Sequence, residues 1–284
     1  MAMKNMDMNE FDIYLFNVHH NSKNEGTQED RNKAIGDVVD WIKNEDIVDT
    51  TLLILSEVKT KKVAEELIGD KCTSETIWKE DAIVHMIDKT GDIDFQRIKD
   101  TLIIMDSIKD FNEQPELTTL DCGYLVLPNN KRLLVVAWHG RHKKKSKQKH
   151  AAFDDMVLLV EEIRKKYECC SVIIGGDFNM GSDDYPRRSK RLSKYDGHVY
   201  DDYVYTSKQN KCIDYVVAWP KKNFEQTAKG DNVENLKPGL IKDPKIFDHD
   251  IIKIRFQHKF IDQTESDLSA RLEQLKLASD ETNG

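Results

Sequence analysis

Cysteine is scarce in this chain. There are five in 284 residues (Cys72, Cys122, Cys169, Cys170 and Cys212), an odd number with no C-x-x-C spacing. That excludes a disulfide framework and a cysteine-built zinc site, and it fits reduced thiols in a cytosolic or nuclear protein. Proline and glycine are also few, at 6 and 13, and they gather in no linker-like stretch, so nothing marks an internal domain boundary. No segment repeats at a solenoid period. No apolar run reaches the roughly 18 residues that a membrane span needs. Met1 to Glu10 is polar and lacks the apolar core of a secretory leader. What is present is 39% apolar and 33% charged residues, the balance of a soluble globular protein with a heavily charged surface. The expected organisation is a disordered segment over 1–10, one monomeric domain over 11–258 and a helical tail over 259–284.

The formal charge of −8 argues against a simple basic nucleic-acid coat, but it is unevenly spread. Arg141 to His150 (RHKKKSKQKH) holds six Lys/Arg and no acid, and Arg187 to Lys194 (RRSKRLSK) holds five more and no acid. Together they carry +11 and leave −19 for the rest of the chain. An acidic body with two local basic clusters differs from a uniformly acidic protein.

Hydrophobic periodicity supplies the elements. Phe11 to Val18, Thr50 to Leu55, Ala82 to Ile87, Thr101 to Met105, Thr119 to Leu127, Arg132 to Trp138, Ser171 to Ile174, Ile213 to Ala218 and Ile251 to Phe256 read as strands. Pro128-Asn129-Asn130 makes a hairpin turn. Arg31 to Lys43, capped from Thr27, and Ala151 to Tyr167 carry apolar residues at helical spacing. Thr60 to Ile68 and Glu265 to Leu277 are further helical stretches. Strands and helices alternate at both ends around a block of consecutive strands, which predicts an α/β fold with mixed sheets covered by helices.

Polar, metal-competent residues recur where these strands end. Asn17 closes the first, Glu57 follows the second, His139 follows Leu133 to Trp138, and Asp177 and Asn179 follow Ser171 to Ile174. Asp214 opens a strand, and Asp248-His249 precedes the last one. Rigid strands deliver such groups to one rim, where a site can form. Gly175-Gly176-Asp177-Phe178-Asn179 is the sharpest piece: the glycines permit a tight turn, and the acid and amide two residues apart project to one side.

In this order the pieces resemble the endonuclease/exonuclease/phosphatase superfamily. They are Phe16-Asn17-Val18, Leu55-Ser56-Glu57-Val58, Val136-Ala137-Trp138-His139, Gly175-Gly176-Asp177-Phe178-Asn179, Ile213-Asp214-Tyr215 and Asp248-His249, and they span nearly the whole chain. The resemblance implies a four-layer sandwich: two mixed β-sheets face to face, with helices on both outer faces. It also implies divalent-metal-dependent hydrolysis of a phosphoester. By the same resemblance Glu57 binds the metal with help from Asn17 and Asp248, and Asp177 aligns or deprotonates the attacking water. Asn179 donates to a phosphate oxygen, and His249 acts in acid–base chemistry with Asp214 orienting it. His139 tilts the resemblance toward deoxyribonuclease I-like members and calls for an acidic partner, for which Asp100 is the expectation. Two positions depart from the family pattern: Ser56 precedes the glutamate in place of glutamine, and Phe247 stands where serine precedes Asp-His. Neither removes a metal ligand.

The chemistry also stands on the residue types. A phosphodiester is an anion that repels hydroxide and needs its charge neutralised. Hard carboxylate and amide oxygens suit Mg²⁺ or Mn²⁺, and no cysteine cluster competes. A histidine near neutral pKa moves a proton at physiological pH when a carboxylate fixes its tautomer.

The basic clusters bear on the substrate. Both leave the rim just after motif residues, which nominates Arg141, Lys143, Lys144, Lys145, Arg187, Arg188, Lys190 and Arg191 as phosphate contacts and nucleic acid as the partner. Tyr185 and Tyr195 bracket the second cluster and invite stacking on bases. The alternatives are a phosphatase or phosphodiesterase of a small or lipid phosphoester, such as an inositol phosphate or sphingomyelin, and a non-catalytic nucleic-acid-binding protein on the same fold.

Overall fold

The structure is a computed structural model that describes residues 8–18, 28–45, 49–58, 82–91, 93–111, 120–127, 130–140, 145–182, 185–201, 212–240 and 249–259. In chain order its elements are β1 (Met8–Asn17), α1 (Gln28–Glu45), β2 (Thr50–Ser56), β3 (Ala82–Asp88), β4 (Asp94–Arg97), α2 (Thr101–Ser107), β5 (Leu120–Val126), β6 (Arg132–Trp138), α3 (Ser146–Lys166), β7 (Ser171–Asp177), α4 (Lys190–Lys194), β8 (His198–Tyr200), β9 (Asp214–Trp219), β10 (Phe224–Asn232), α5 (Val233–Leu236) and β11 (Ile252–Lys259). One sheet runs β10-β11-β1-β2-β3 and the other β4-β5-β6-β7-β9-β8.

Each sheet is built around one parallel pair, β1 with β2 and β6 with β7, and every other pairing is antiparallel. A parallel pair needs a crossover, supplied by α1 and α3 respectively. Strands sandwiched between a helix and the opposite sheet are covered on both faces, so they read as continuous apolar runs. β2 (TTLLILS) and β7 (SVIIGGD) are buried at every position. Ile13, Leu15, Leu52 and Ile54 face Leu133, Val135, Ile173 and Val216 between the sheets. Their neighbours Tyr14, Phe16, Leu53 and Leu55 turn outward and pack under Ile35, Val38 and Ile42 of α1. Val136, Val172 and Ile174 likewise meet Phe153, Met156, Val157 and Val160 of α3. Each such side chain taken wholly out of water contributes about 1.5–3 kcal/mol. The result is the expected four-layer sandwich.

Side-chain links tie the sheets together at several points. At the β3 edge, Asp121 of β5 accepts the Val84 N–H at 2.8 Å, and Arg97 of β4 donates to the Val84 carbonyl at 2.9 Å and pairs with Asp121. At the end far from the strand-end motifs, His258 of β11 meets the Ser171 hydroxyl of β7 at 2.9 Å, and Asn223 donates to the same hydroxyl at 2.7 Å.

Several expectations fail or fall outside what is described. Thr101 to Met105, read as a strand, is the helix α2, with the Ile104 N–H bonded to the Asp100 carbonyl. Ile104 and Met105 point inward while Leu102 and Ile103 stay exposed, and a five-residue apolar run cannot distinguish that pattern from a strand. Strands β4, β8 and β10 escaped the periodicity reading because they lie at sheet edges or carry polar faces (DFQR, HVY, FEQTAKGDN). The helices read over Thr60 to Ile68 and Glu265 to Leu277, the Thr27 cap, and Pro128 and Asn129 of the hairpin turn lie outside the described residues.

Candidate active site

The parallel strands β1, β2, β6 and β7 all end at one rim. β9 is antiparallel to β7 and pairs Asp214 with Asp177, so it begins at that rim. The chain therefore brings Asn17, Glu57, His139, Asp177, Asp214 and His249 together from both sheets, over a sequence span of more than 200 residues.

Asp177 lies at the centre and is 1% exposed. Its Oδ1 accepts the Asn179 N–H at 2.7 Å, and its Oδ2 accepts Asn17 Nδ2 at 3.0 Å. Asn17 Nδ2 also reaches Glu57 Oε1 at 3.3 Å, and His139 Nε2 lies 3.8 Å from the same oxygen. Burial, reinforced by the neighbouring Asp214 carboxylate, raises the Asp177 pKa to about 6 against the opposing pull of His249 and His139. On the other side of Asp177, His249 Nδ1 sits 2.7 Å from Asp214 Oδ2. Burial alone would lower the His249 pKa, but the carboxylates of Asp214, Asp177 and Glu57 outweigh it and hold it at about 9. The imidazole is thus charged at neutral pH, with Nδ1 engaged by Asp214.

The backbone is shaped for this arrangement. Glu57 and Asn179 both adopt left-handed conformations, with φ of 60° and 50°. A non-glycine residue in that region costs on the order of 1–3 kcal/mol, strain that typically collects at functional sites. Gly176 has φ of 136°, and a Cβ there would lie 2.2 Å from the Trp138 carbonyl oxygen, so only glycine lets β7 pass β6 at that height.

Among the described residues two groups of side chains could hold a cation: Glu57, His139 and Asp177, and Asp177, Asp214 and His249, the ligand atoms within each lying no more than 4.8 Å apart. The first group adjoins Asn17, whose side-chain Oδ1 is buried with no hydrogen-bond partner among the described residues. An orphaned buried amide oxygen beside a glutamate is a strained arrangement unless something positive meets it. An oxygen-rich donor set of this kind fits a hard divalent cation. Asp248 lies outside the described residues.

The substrate residues divide. Arg141, Lys143 and Lys144 lie outside the described residues, and Lys145 is exposed immediately before α3. Arg187 pairs with Asp201, and Arg191 donates to the Asp154 carbonyl at 3.3 Å, so both are engaged by the protein itself. Arg188 and Lys190 are exposed and have no side-chain partner among the described residues. The segment is not a free arm: Asp154 of α3 accepts hydrogen bonds from Tyr185 Oη at 2.6 Å and Ser189 Oγ at 2.7 Å. Tyr185 stacks on His150 at 4.2 Å, and Tyr195 stacks on Trp219, so both tyrosines are packed into the protein.

Asp100 is not the partner of His139. It precedes α2 and accepts hydrogen bonds from Tyr167 and Lys166, while the acids beside His139 are Glu57 and Asp177. Sequence reasoning also passed over three residues that shape the site. Ser56 Oγ accepts the Asp177 N–H at 3.2 Å, Gly140 donates its N–H to the Asp177 carbonyl at 2.6 Å, and Lys149 Nζ donates to the Asn179 carbonyl at 2.6 Å. Of these, Ser56 alone carried a signal, as the departure before Glu57.

No protein-family model matches the sequence, and no curated protein is significantly similar to it. Solved structures do match. The human Nocturnin catalytic domain with bound sulfate superposes with a TM-score of 0.59 at 13% identity, over 87% of this chain and 94% of that one. An endonuclease/exonuclease/phosphatase family protein from Bacteroides thetaiotaomicron gives 0.54 at 13%, over 89% and 99%. TDP2 from D. rerio, complexed with a single-strand DNA product, gives 0.51 at 12%, over 87% and 98%. Sheet order, the rim on which the polar strand ends meet, and these end-to-end superpositions agree: the chain has the endonuclease/exonuclease/phosphatase fold.

Proposed function

We propose that this protein is a divalent-metal-dependent phosphoester hydrolase whose substrate is nucleic acid. The observation that carries the reading is the convergence of Asn17, Glu57, His139, Asp177, Asp214 and His249 on one rim, with the Asn17 amide oxygen buried and unmatched among the described residues. In this reading Glu57 and Asn17 hold Mg²⁺ or Mn²⁺, joined by Asp248. The cation supplies Lewis-acid stabilisation of charge developing on the phosphate.

The remaining work belongs to the protein's own groups. Asp177, fixed at both oxygens by Asn179 and Asn17, accepts a proton from the attacking water. His249, oriented through Nδ1 by Asp214, presents Nε2 as a donor to a phosphate or leaving-group oxygen. Asn179 gives one amide hydrogen to the Gly140 carbonyl at 2.9 Å, and its second hydrogen serves a phosphate oxygen. His139 stands beside Glu57 and Asp177 on the same rim.

Nucleic acid is favoured over a small phosphoester by the position of the exposed cations. Lys145 and Lys147 begin α3 directly beyond the rim, and Arg188 and Lys190 lie on the segment that Asp154 docks to the same helix. A polyanion gains affinity from each such contact. TDP2 from D. rerio, on the same fold, is seen with a single-strand DNA product.

The test is a parallel assay of plasmid DNA, structured RNA, inositol phosphates and sphingomyelin with Mg²⁺ or Mn²⁺, with His249→Ala as the blank. Turnover of DNA or RNA that stops on chelation is the expected result. Turnover of a small or lipid phosphoester alone removes the nuclease reading and keeps the hydrolase. Binding of nucleic acid without turnover of any substrate removes both.

A further inference from the structure

Lys149 belongs by sequence to the basic run that starts at Arg141, yet it does not behave as a surface cation. It sits in the first turn of α3, half-buried, and its ammonium reaches the backbone carbonyl of Asn179 at 2.6 Å. A donor–acceptor distance that short, with a charged donor, marks a strong hydrogen bond.

Asn179 is held at three further points. Its left-handed φ of 50° turns the chain, its N–H binds Asp177 Oδ1 at 2.7 Å, and its side-chain amide donates to the Gly140 carbonyl at 2.9 Å. Gly140 in turn donates its own N–H to the Asp177 carbonyl at 2.6 Å. A Cβ on Gly140 would lie 2.1 Å from the Phe178 carbonyl oxygen, so only glycine permits this approach. His139 precedes Gly140 directly. The ends of β6 and β7 are therefore cross-tied, and Lys149 anchors the tie to α3. Lys149 is a charged side chain that joins that lattice from outside the two strand ends.

We infer that Lys149 is a positioning residue of the candidate site: through the Asn179 carbonyl it fixes the orientation of the Asn179 amide and of the Asp177 carboxylate. The inference rests on the hydrolase reading for its effect on rate, and on geometry alone for its effect on Asn179. It acts at a distance from phosphate, so its loss changes turnover and leaves substrate affinity in place. Displacing reacting groups by about 1 Å can lower rate on the order of 10²-fold.

The experiment compares the full-length wild type with Lys149→Met and Lys149→Arg. A small chromogenic phosphodiester with Mn²⁺ gives kcat and KM without engaging the basic surface. Hydrogen exchange of the Asn179 amide in the metal-free protein gives a readout independent of activity. In Lys149→Met, kcat falls about tenfold or more while KM and Tm change little, and the Asn179 amide exchanges faster. Lys149→Arg, which restores a charged donor, recovers most of both. An unchanged kcat in folded Lys149→Met, a rise in KM in place of the fall in kcat, or unchanged exchange at Asn179 overturns the inference while leaving the hydrolase reading intact. A wild type that turns over no phosphodiester sinks the hydrolase reading and, with it, the claim on rate. In that case faster exchange in Lys149→Met shows a purely structural tie.

Discussion

The units β1–α1–β2 and β6–α3–β7 are built alike. Each is a parallel strand pair with a covering helix, each buries its strands on both faces, and each ends at the same rim. They differ in what they carry there. The first contributes Asn17 and Glu57, oxygen donors suited to a cation. The second contributes His139 and Asp177, together with a helix whose first turns are basic. One architecture used twice thus brings oxygen donors from one half, and a histidine, a carboxylate and a basic helix start from the other, to the same rim. The strand pairs fix positions, and the few residues at their ends determine the chemistry.

The sharpest way to break this comparison is to remove one rim group from each unit. Glu57→Gln and Asp177→Asn should each lower hydrolysis about 10²-fold or more, the scale on which acid–base and metal-holding groups act. His249→Ala should do the same from the segment that leads into β11. Each variant should keep its far-UV circular dichroism. A folded variant with near-wild-type turnover removes that residue from the site.

The second test concerns what holds the two halves together. Asp121 and Arg97 pair at the β3 edge and complete the Val84 backbone hydrogen bonds. Asp121→Ala removes the Asp121 carboxylate from Arg97 and from the Val84 N–H together, at a cost of about 3–5 kcal/mol. Urea unfolding measures it. A loss under about 1 kcal/mol means the edge is held otherwise.

The third test separates the rim from the opposite end. Burial, aided by Lys131, pushes the His258 pKa down to about 3, so folding favours the neutral imidazole. Asn223 donates to Ser171 Oγ, which leaves the Ser171 hydroxyl hydrogen for His258 Nε2 and calls for the unprotonated nitrogen there. The folded pKa lies below the ordinary 6.5, so this contribution is fully present above pH 6.5 and is lost as pH falls toward 3. The slope is about 1.4 kcal/mol per pH unit, or about 2 kcal/mol lost by pH 5. His258→Gln should flatten that part of the stability profile, and an unchanged slope would contradict the assignment.

The smallest effect is expected on the basic surface. Arg188→Ala with Lys190→Ala should reduce the salt dependence of nucleic-acid binding by about one to two phosphate contacts. Arg187→Ala with Arg191→Ala should change it less, since Asp201 and Asp154 already engage those guanidinium groups. Equal effects from the two pairs would erase the distinction.

Much of this was legible in the sequence. β1, β2, β6 and β7 are buried on both faces and announce themselves as apolar runs, and each ends on, or is followed directly by, a polar residue that the fold carries to the rim. Legibility failed where a residue works through another residue's backbone. Ser56, Gly140 and Lys149 act on the Asp177 N–H, the Asp177 carbonyl and the Asn179 carbonyl, from 121, 37 and 30 positions away. No local pattern encodes such pairings. Asp100 was misassigned for the converse reason: an acid near a strand-like run has no visible partner until α2 and the end of α3 meet. α2 itself shows that a short apolar run is ambiguous until its exposed Leu102 and Ile103 are seen.

The proposed chemistry turns on a divalent-cation site held by Glu57 and Asn17. Calorimetric titration of the metal-free protein with Mn²⁺, wild type against Glu57→Gln, tests it without any assumption about substrate. Saturable binding to the wild type is expected, with an affinity lower by about tenfold or more in the variant. Superimposable isotherms for the two proteins, or a wild type that takes up no Mn²⁺, would contradict it.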